Sequence, residues 1–357
     1  TFIGQLADTI PTPAPVVDLD RLEQNLRQLA GYFGARACKL RPHFKSHKCV
    51  ELARRQVAAG ACVGITCAKL AEAEQLAAGG IQDILIANQV VGADKARRLA
   101  ALNGRAIVRC AVDSPANARQ LATAATEAGV VIPVLIEVDI GMRRCGVAPG
   151  APTLALAQEI GRLPGLRLDG LQAYEGHLVT LPDLEERRRR VGEAFAPVLQ
   201  TRRQLEVAGL VVPILSGGGT GTYDITGNLD GVDEVQCGSY ALMDWSYARI
   251  RPEFVVARWI QATVVSAHPD YAVVDVGTKG LGCEFGPPIL AGCPEAKARS
   301  TAEEHTSFDG LKAEVGQKVR LIPSHGCTTQ NLHRRLWLTR GGKIVDVWPI
   351  EGAGCLE

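Results

Sequence analysis

The sequence predicts an α/β fold, a (β/α)8 TIM-type barrel with a C-terminal antiparallel β domain. Two observations point there. Eight short β-rich runs alternate with Ala/Leu/Glu/Arg-rich stretches between about residue 40 and about residue 236. After about Met243 the texture changes to alternating strands separated by Gly/Pro turns. At 357 residues the chain exceeds the usual single-core size, which suits a large barrel with an appended domain. A doubly wound parallel sheet is the other arrangement that this alternation allows.

The eight runs are "CKLRPH", "CVGIT", "DILIAN", "AIVRCAVD", "PVLIEVDI", "LDGLQAYE", "VPILSGGG" and "DEVQCGSY". Between them "ELARRQVAAG", "KLAEAEQLAAGG" and "DLEERRRRVGEAFAPVLQTRRQLEVAG" carry apolar residues at spacings of three and four and run into glycine, as helices do at their C-termini. The later segments "RWIQATVVSAH", "YAVVDVG", "QKVRLIPSH" and "LWLTRGGKIVDVWPI" alternate as strands do. The expected boundaries are 14–245 for the barrel, with 1–13 and 246–357 forming the β domain that carries the metal site.

Charge is nearly balanced, 39 Lys plus Arg against 38 Asp plus Glu. Nucleic-acid and membrane-surface binders work through a strongly basic face, so a small-molecule partner is expected instead. Eleven scattered cysteines, an odd number and mostly within apolar runs, suit buried thiols in a reducing compartment better than a disulfide framework. No apolar run is long enough to span a bilayer and no signal-peptide pattern opens the chain. The expectation is a soluble, cytoplasmic protein.

Three motifs carry possible chemistry. "KLRPHFKSHKC", Lys39 to Cys49, crowds cations around Lys45. It is either a solvated basic loop or a strand end where Arg41, Lys48 and any protonated His43 or His47 disfavour a charged Lys45 amine. If "KLRPH" is the first barrel strand, Lys45 lies past its C-terminal end, where barrel enzymes build their active sites. "SGGGTGT", Ser216 to Thr222, ends the seventh run; it is either a flexible turn or a phosphate cradle, since glycine backbones can turn N–H groups toward one point. A reactive lysine and a phosphate cradle together suggest pyridoxal phosphate. In "PSHGC", His325 and Cys327 are two apart on an apparent strand, so period two places both on one face. They are either a divalent-metal pair leaning toward Zn2+, or a buried cysteine beside a structural histidine.

In this order and spacing, "RPHFKSHK", "GLQAY", "SGGGTG", "VQCGSYALMD" and "PSHGCTTQNLH" resemble the pyridoxal-phosphate enzymes that join an alanine-racemase-type barrel to a D-serine-dehydratase-like domain. That family, fold-type III, includes D-threonine aldolase, 3-hydroxy-D-aspartate aldolase and metal-dependent D-serine dehydratase. The resemblance covers nearly the whole chain. It implies that Lys45 is the Schiff-base lysine, that Ser216, Gly218, Gly219 and Thr220 hold the phosphate, and that Arg144, Tyr174 and Tyr240 lie about the cofactor. It also implies that His325 and Cys327 bind a divalent metal, Zn2+ or else Mn2+ or Mg2+, and that the enzyme is a homodimer.

The resemblance divides on the reaction. The metal pair is His with Asp in the aldolases but His with Cys in the dehydratases, as here. The glycine-rich stretch and "QCGSYALMD" follow the aldolase branch. Where the aldolases place a catalytic histidine after "AYEG" this chain has Thr180, leaving His177 as the nearby candidate base. The expected function is retro-aldol cleavage of a β-hydroxy-D-amino acid to glycine plus an aldehyde. Dehydration of D-serine or 3-hydroxy-D-aspartate is the alternative; a racemase, which leaves the metal pair unexplained, and a non-catalytic cofactor carrier rank behind.

Overall fold

The structure is a computed structural model that describes residues 2–357; residue 1 of the expected 1–13 segment lies outside the described residues. Strand β1 (Ala14–Asp18) belongs to an antiparallel sheet taken up below. The next eight strands are β2 (Lys39–Leu40), β3 (Ile65–Cys67), β4 (Asp83–Gln89), β5 (Ile107–Val112), β6 (Ile132–Glu137), β7 (Leu166–Ala173), β8 (Ile214–Gly217) and β9 (Glu234–Val235). All pair in parallel, in the order β2-β9-β8-β7-β6-β5-β4-β3. Bridges Leu40–Cys62 and His43–Thr66 link the two ends of that order. The strands thus curl into a TIM-type barrel rather than an open, doubly wound sheet, and each predicted run supplies one strand. Strand β2 is short because Pro42 has no N–H to give, although Arg41 and His43 on either side still donate to Val235 and Cys237.

Between the strands lie the predicted helices Val50–Ala58, Leu70–Ala78 and Leu184–Val207. Asp183 caps the last by accepting the Glu186 N–H at 2.7 Å, and Gly209 follows its end at φ +78°. Inside the barrel the strands are apolar almost throughout, with Ile84, Leu85, Val108, Cys110, Val134 and Ile136 fully buried. The exception is an ion-pair chain. Arg41 donates to Glu234 at 2.7 Å and to Asp83 at 2.5 Å, and Arg109 joins Asp83 at 2.7 Å to Asp169 at 2.8 Å. It ties β2, β9, β4, β5 and β7 to one another.

By contacts the chain forms two compact units. The barrel strands fall in Ala30–Phe44 and Ala53–Gly238, while the segment through Leu29, Lys45–Leu52 and Ser239–Gly354 form the other. The second unit contains β10 (Arg258–Ala267), β11 (Tyr271–Val274), β12 (Ile289–Leu290), β13 (Lys297–Thr301), β14 (Thr306–Asp309), β15 (Lys318–Ile322), β16 (Arg335–Arg340) and β17 (Lys343–Pro349). Its order is β13-β14-β11-β10-β1-β16-β17, with β15 also on β10 and β12 on β15. Pairing is antiparallel apart from β1 with β16. Ile260, Val264, Phe308 and Leu321 form its core. Gly341 and Gly342, both at positive φ, turn the hairpin that "TRGGK" announces.

One local expectation is overturned. The strand read through "PSHGC" stops at Ile322; Pro323 cannot extend a ladder, and Gly326–Asn331 is a short helix preceded by His325. All eleven cysteines are free. Among the described residues no helix is long and apolar enough to cross a membrane.

Candidate active site

Lys45 lies in the 3-10 turn Phe44–Ser46, directly after the β2 segment in the chain. Of the cations expected to crowd it, Arg41 and Lys48 have partners of their own. Arg41 is paired with Glu234 and Asp83. The Nδ1 of buried His47 accepts the Cys49 N–H at 3.2 Å. Lys48 donates to the Gly352 carbonyl at 3.2 Å. What the second unit does bring to Lys45 is Cys327, whose thiol feels the Lys45 charge.

His325 and Cys327 are hydrogen-bonded to each other through their side chains. Period two is not the reason: His325 precedes the short helix and Cys327 stands in its first turn. The His325 Nδ1 also meets the Glu284 carboxylate, which accepts the Thr328 hydroxyl at 2.5 Å, and the Phe285 ring stacks on the imidazole at 4.5 Å. Burial opposes a charge on His325, but the bonds to Cys327 and Glu284 outweigh it and lift the imidazole to about 9. Burial likewise pushes the Cys327 thiol up, yet His325 and the Lys45 charge bring it below its ordinary range. Thiolate is the ligating form. One thiolate and one imidazole fit a borderline-soft divalent cation whose other positions stay open, and no cluster of three or more such donors occurs among the described residues. A small cavity beside the pair is lined by Ser46, Ser239, Asp244, Arg258 and Cys327. Tyr240 is buried next to Ser239, edge-on to Phe254 at 5.9 Å.

In the barrel unit Tyr174 and His177 follow β7, Ser216 to Thr220 lie at the end of β8 and in the turn after it, and Arg144 follows β6. Ser216 is buried and accepts the Gln236 Nε2 hydrogen bond at 2.9 Å. Gly218 takes φ +68°, a conformation that favours glycine, and its N–H is given to Glu175 at 3.1 Å; the Gly219 N–H goes to the Thr222 hydroxyl at 3.2 Å. Thr220 is buried in the same turn, and a Cβ added at Gly219 would stand 3.5 Å from the Tyr174 ring. These backbones and the Tyr174 ring therefore lie together, with the Gly218 and Gly219 N–H groups taken by Glu175 and Thr222.

Arg144 is exposed, and its charge reaches the buried carboxyl of Glu137. His177 is exposed and lies beside Gly141, where an added Cβ would stand 3.3 Å from its Nε2. Partial burial and Arg190 pull its pKa below the ordinary value despite Asp139. Sequence reasoning missed Glu175, Asp244, Arg258 and Glu284. Glu175 and Asp244 stand inside quoted motifs, "AYEG" and "ALMD", but nothing in a linear string shows that they turn inward.

Two family profiles match the chain: "Alanine racemase, N-terminal domain" over residues 17–244 and "Putative serine dehydratase domain" over residues 257–339. A D-threonine aldolase of Arthrobacter sp is 38% identical, over 97% of this chain and 93% of its own. A 3-hydroxy-D-aspartate aldolase of Paracoccus denitrificans (strain Pd 1222) is 36% identical, over 98% and 94%. The crystal structure of D-threonine aldolase from Filomicrobium marinum superposes with a TM-score of 0.97 at 36% identity, covering 100% of both chains. The chain belongs to the D-threonine aldolase/D-serine dehydratase-like family of fold-type III pyridoxal-phosphate lyases.

Proposed function

We propose that this enzyme cleaves the Cα–Cβ bond of β-hydroxy-D-amino acids to give glycine and an aldehyde, using pyridoxal 5'-phosphate and a divalent metal. Lys45 would hold the cofactor's aldehyde carbon, the Ser216–Thr222 turn its phosphate, and Arg144, Tyr174 and Tyr240 its surroundings. When bound, the cofactor supplies an electron sink for the carbanion left by the broken bond. His325 and Cys327 would hold the metal, Zn2+ by its donor set, whose chemistry is to lower the pKa of the substrate β-hydroxyl. His177, held uncharged at neutral pH by its lowered pKa, takes the β-hydroxyl proton. The proton removed from the β-hydroxyl is matched by the one that Cα takes up to become glycine, so the cleavage balances in protons and the imidazole ends uncharged.

The observation that carries this reading is that Lys45 shares its unit, and an electrostatic contact, with the hydrogen-bonded pair His325 and Cys327. An amine nucleophile and a metal pair side by side serve a β-hydroxy substrate, whereas a racemase has no use for the pair. The names of the aldolase relatives support cleavage over dehydration. Dehydration to an oxo acid and ammonia is the second reading, favoured by Cys327 itself, since a thiolate partner is the dehydratase pattern. A homodimer in the cytoplasm, with no nucleic-acid or membrane partner, completes the proposal; the near-balanced charge supports its last part.

The test is incubation with D-threonine, D-phenylserine, D-serine and 3-hydroxy-D-aspartate, with assays for glycine and aldehyde against ammonia and oxo acid. Equal glycine and aldehyde are expected. Ammonia and oxo acid without glycine would make the enzyme a dehydratase.

A further inference from the structure

The turn after β8 starts from a glycine run, which is costly to order. Gly217, Gly218 and Gly219 follow one another, and glycine backbones lose the most freedom when ordered. The turn lies hard against the segment that follows β7: a Cβ added at Gly217 would meet the Ala173 carbonyl oxygen at 2.2 Å, and one at Gly221 the Val179 oxygen at 1.8 Å. From that segment a single fully buried carboxyl, Glu175, reaches into the turn. Its Oε2 accepts the Gly218 N–H at 3.1 Å, and its Oε1 accepts the hydroxyls of Thr222 at 2.6 Å and Thr226 at 2.5 Å. Thr222 in turn accepts the Gly219 N–H at 3.2 Å.

We propose that Glu175 is a positioning residue that pre-shapes the Gly218–Thr226 turn to receive the phosphate of the cofactor. The inference rests on the reading of this turn as the phosphate cradle and deepens it. Glu175 anchors Gly218 and Thr226 at the two ends of the turn and, through Thr222, Gly219 between them, so the glycine backbone is ordered before an anion arrives. A preordered site spares the ligand that entropy. Glu175 touches the turn and not the reacting atoms.

The experiment titrates the apoenzyme with pyridoxal 5'-phosphate and separately with pyridoxal, which has no phosphate, and compares dissociation constants. The substitution Glu175→Gln keeps the shape and an oxygen for one set of donors but turns an amide NH2 on another. In the Glu175→Gln enzyme, binding of the phosphorylated form should weaken about tenfold, as expected for a lost hydrogen bond to a buried polar group, while pyridoxal binds as before. Thr226→Val, which removes one donor and leaves the carboxyl, should shift the same ratio by less. Equal weakening of both ligands, or an unchanged ratio in both variants, overturns the role of Glu175. Wild-type apoenzyme that binds the two ligands alike would instead overturn the phosphate cradle, and with it the premise. If Glu175→Gln does not fold, the ratio in Thr226→Val decides.

Discussion

Asp244 and Arg258 hold one residue, Gly326, from both sides. The Asp244 carboxylate accepts the Gly326 N–H at 2.8 Å, and the Arg258 guanidinium donates to the Gly326 carbonyl at 3.0 Å. Both side chains are buried, and Gly326 is the residue that separates His325 from Cys327. The clamp therefore sets how the imidazole and the thiolate face each other.

A side chain at position 326 has no room, because its Cβ would fall 2.1 Å from the Arg258 Nη2. Gly326→Ala should lower stability by roughly 1–3 kcal/mol, the usual range for overpacking, and reduce bound metal as the pair is displaced. Denaturant unfolding and metal analysis check this together. Unchanged stability and metal content would mean that the clamp does not govern the pair.

Lys45 should carry the cofactor. Borohydride reduction of the loaded enzyme followed by peptide mapping should place the label on Lys45, and Lys45→Ala should abolish it. A label on Lys39, Lys48 or Lys279 would refute the assignment.

Cys327→Ala removes the thiolate and leaves His325 with Glu284. Metal content and turnover should fall together while the cofactor absorbance persists, since Lys45 is untouched. Full activity in a metal-free variant would rule out the metal role.

Partial burial and Arg190 hold the His177 pKa below its ordinary value. A base works when unprotonated, so the acid limb of kcat/KM should lie at lower pH than an ordinary histidine would give, with activity lost as pH falls through the lowered value. His177→Ala should remove that acid limb and reduce turnover by about 10² to 10⁴-fold. An acid limb that survives the substitution assigns it to another group.

Much of the barrel was legible because its signals are local. Parallel strands buried on both faces read as continuous apolar runs, and each of the eight predicted runs became one strand. The β unit was legible where strands are long, as in β10 and the β16–β17 hairpin. It was not where they are short, as in the two residues of β12, or exposed, as in β13. The pair His325 and Cys327 was named from its residue types, yet the geometry behind it was misread, because Pro323 ends the strand and a helical turn sets their facing. The pairing of Arg41 was hidden for a related reason. Residue spacing places cations near one another along the chain, but Glu234 and Asp83, which neutralise Arg41, come from distant strands. Glu175, Asp244 and Glu284 stayed hidden likewise, since an acidic letter in a motif carries no sign of which donors fold back onto it.

Strand β1 lies between β10 and β16, so both of its hydrogen-bonding edges are filled by partners that occur more than two hundred residues later in the chain. During synthesis it is made long before either neighbour exists. The barrel strands, by contrast, pair mostly with the strand just before or after them and can assemble as they emerge. Until β10 is made "APVVD" is an apolar strand with two open edges, and until β16 is complete it keeps one, the kind of segment that seeks other chains. Ribosomal pausing before residue 335, or release of a chain cut short there, should accordingly favour aggregation through β1, even where the barrel has already closed.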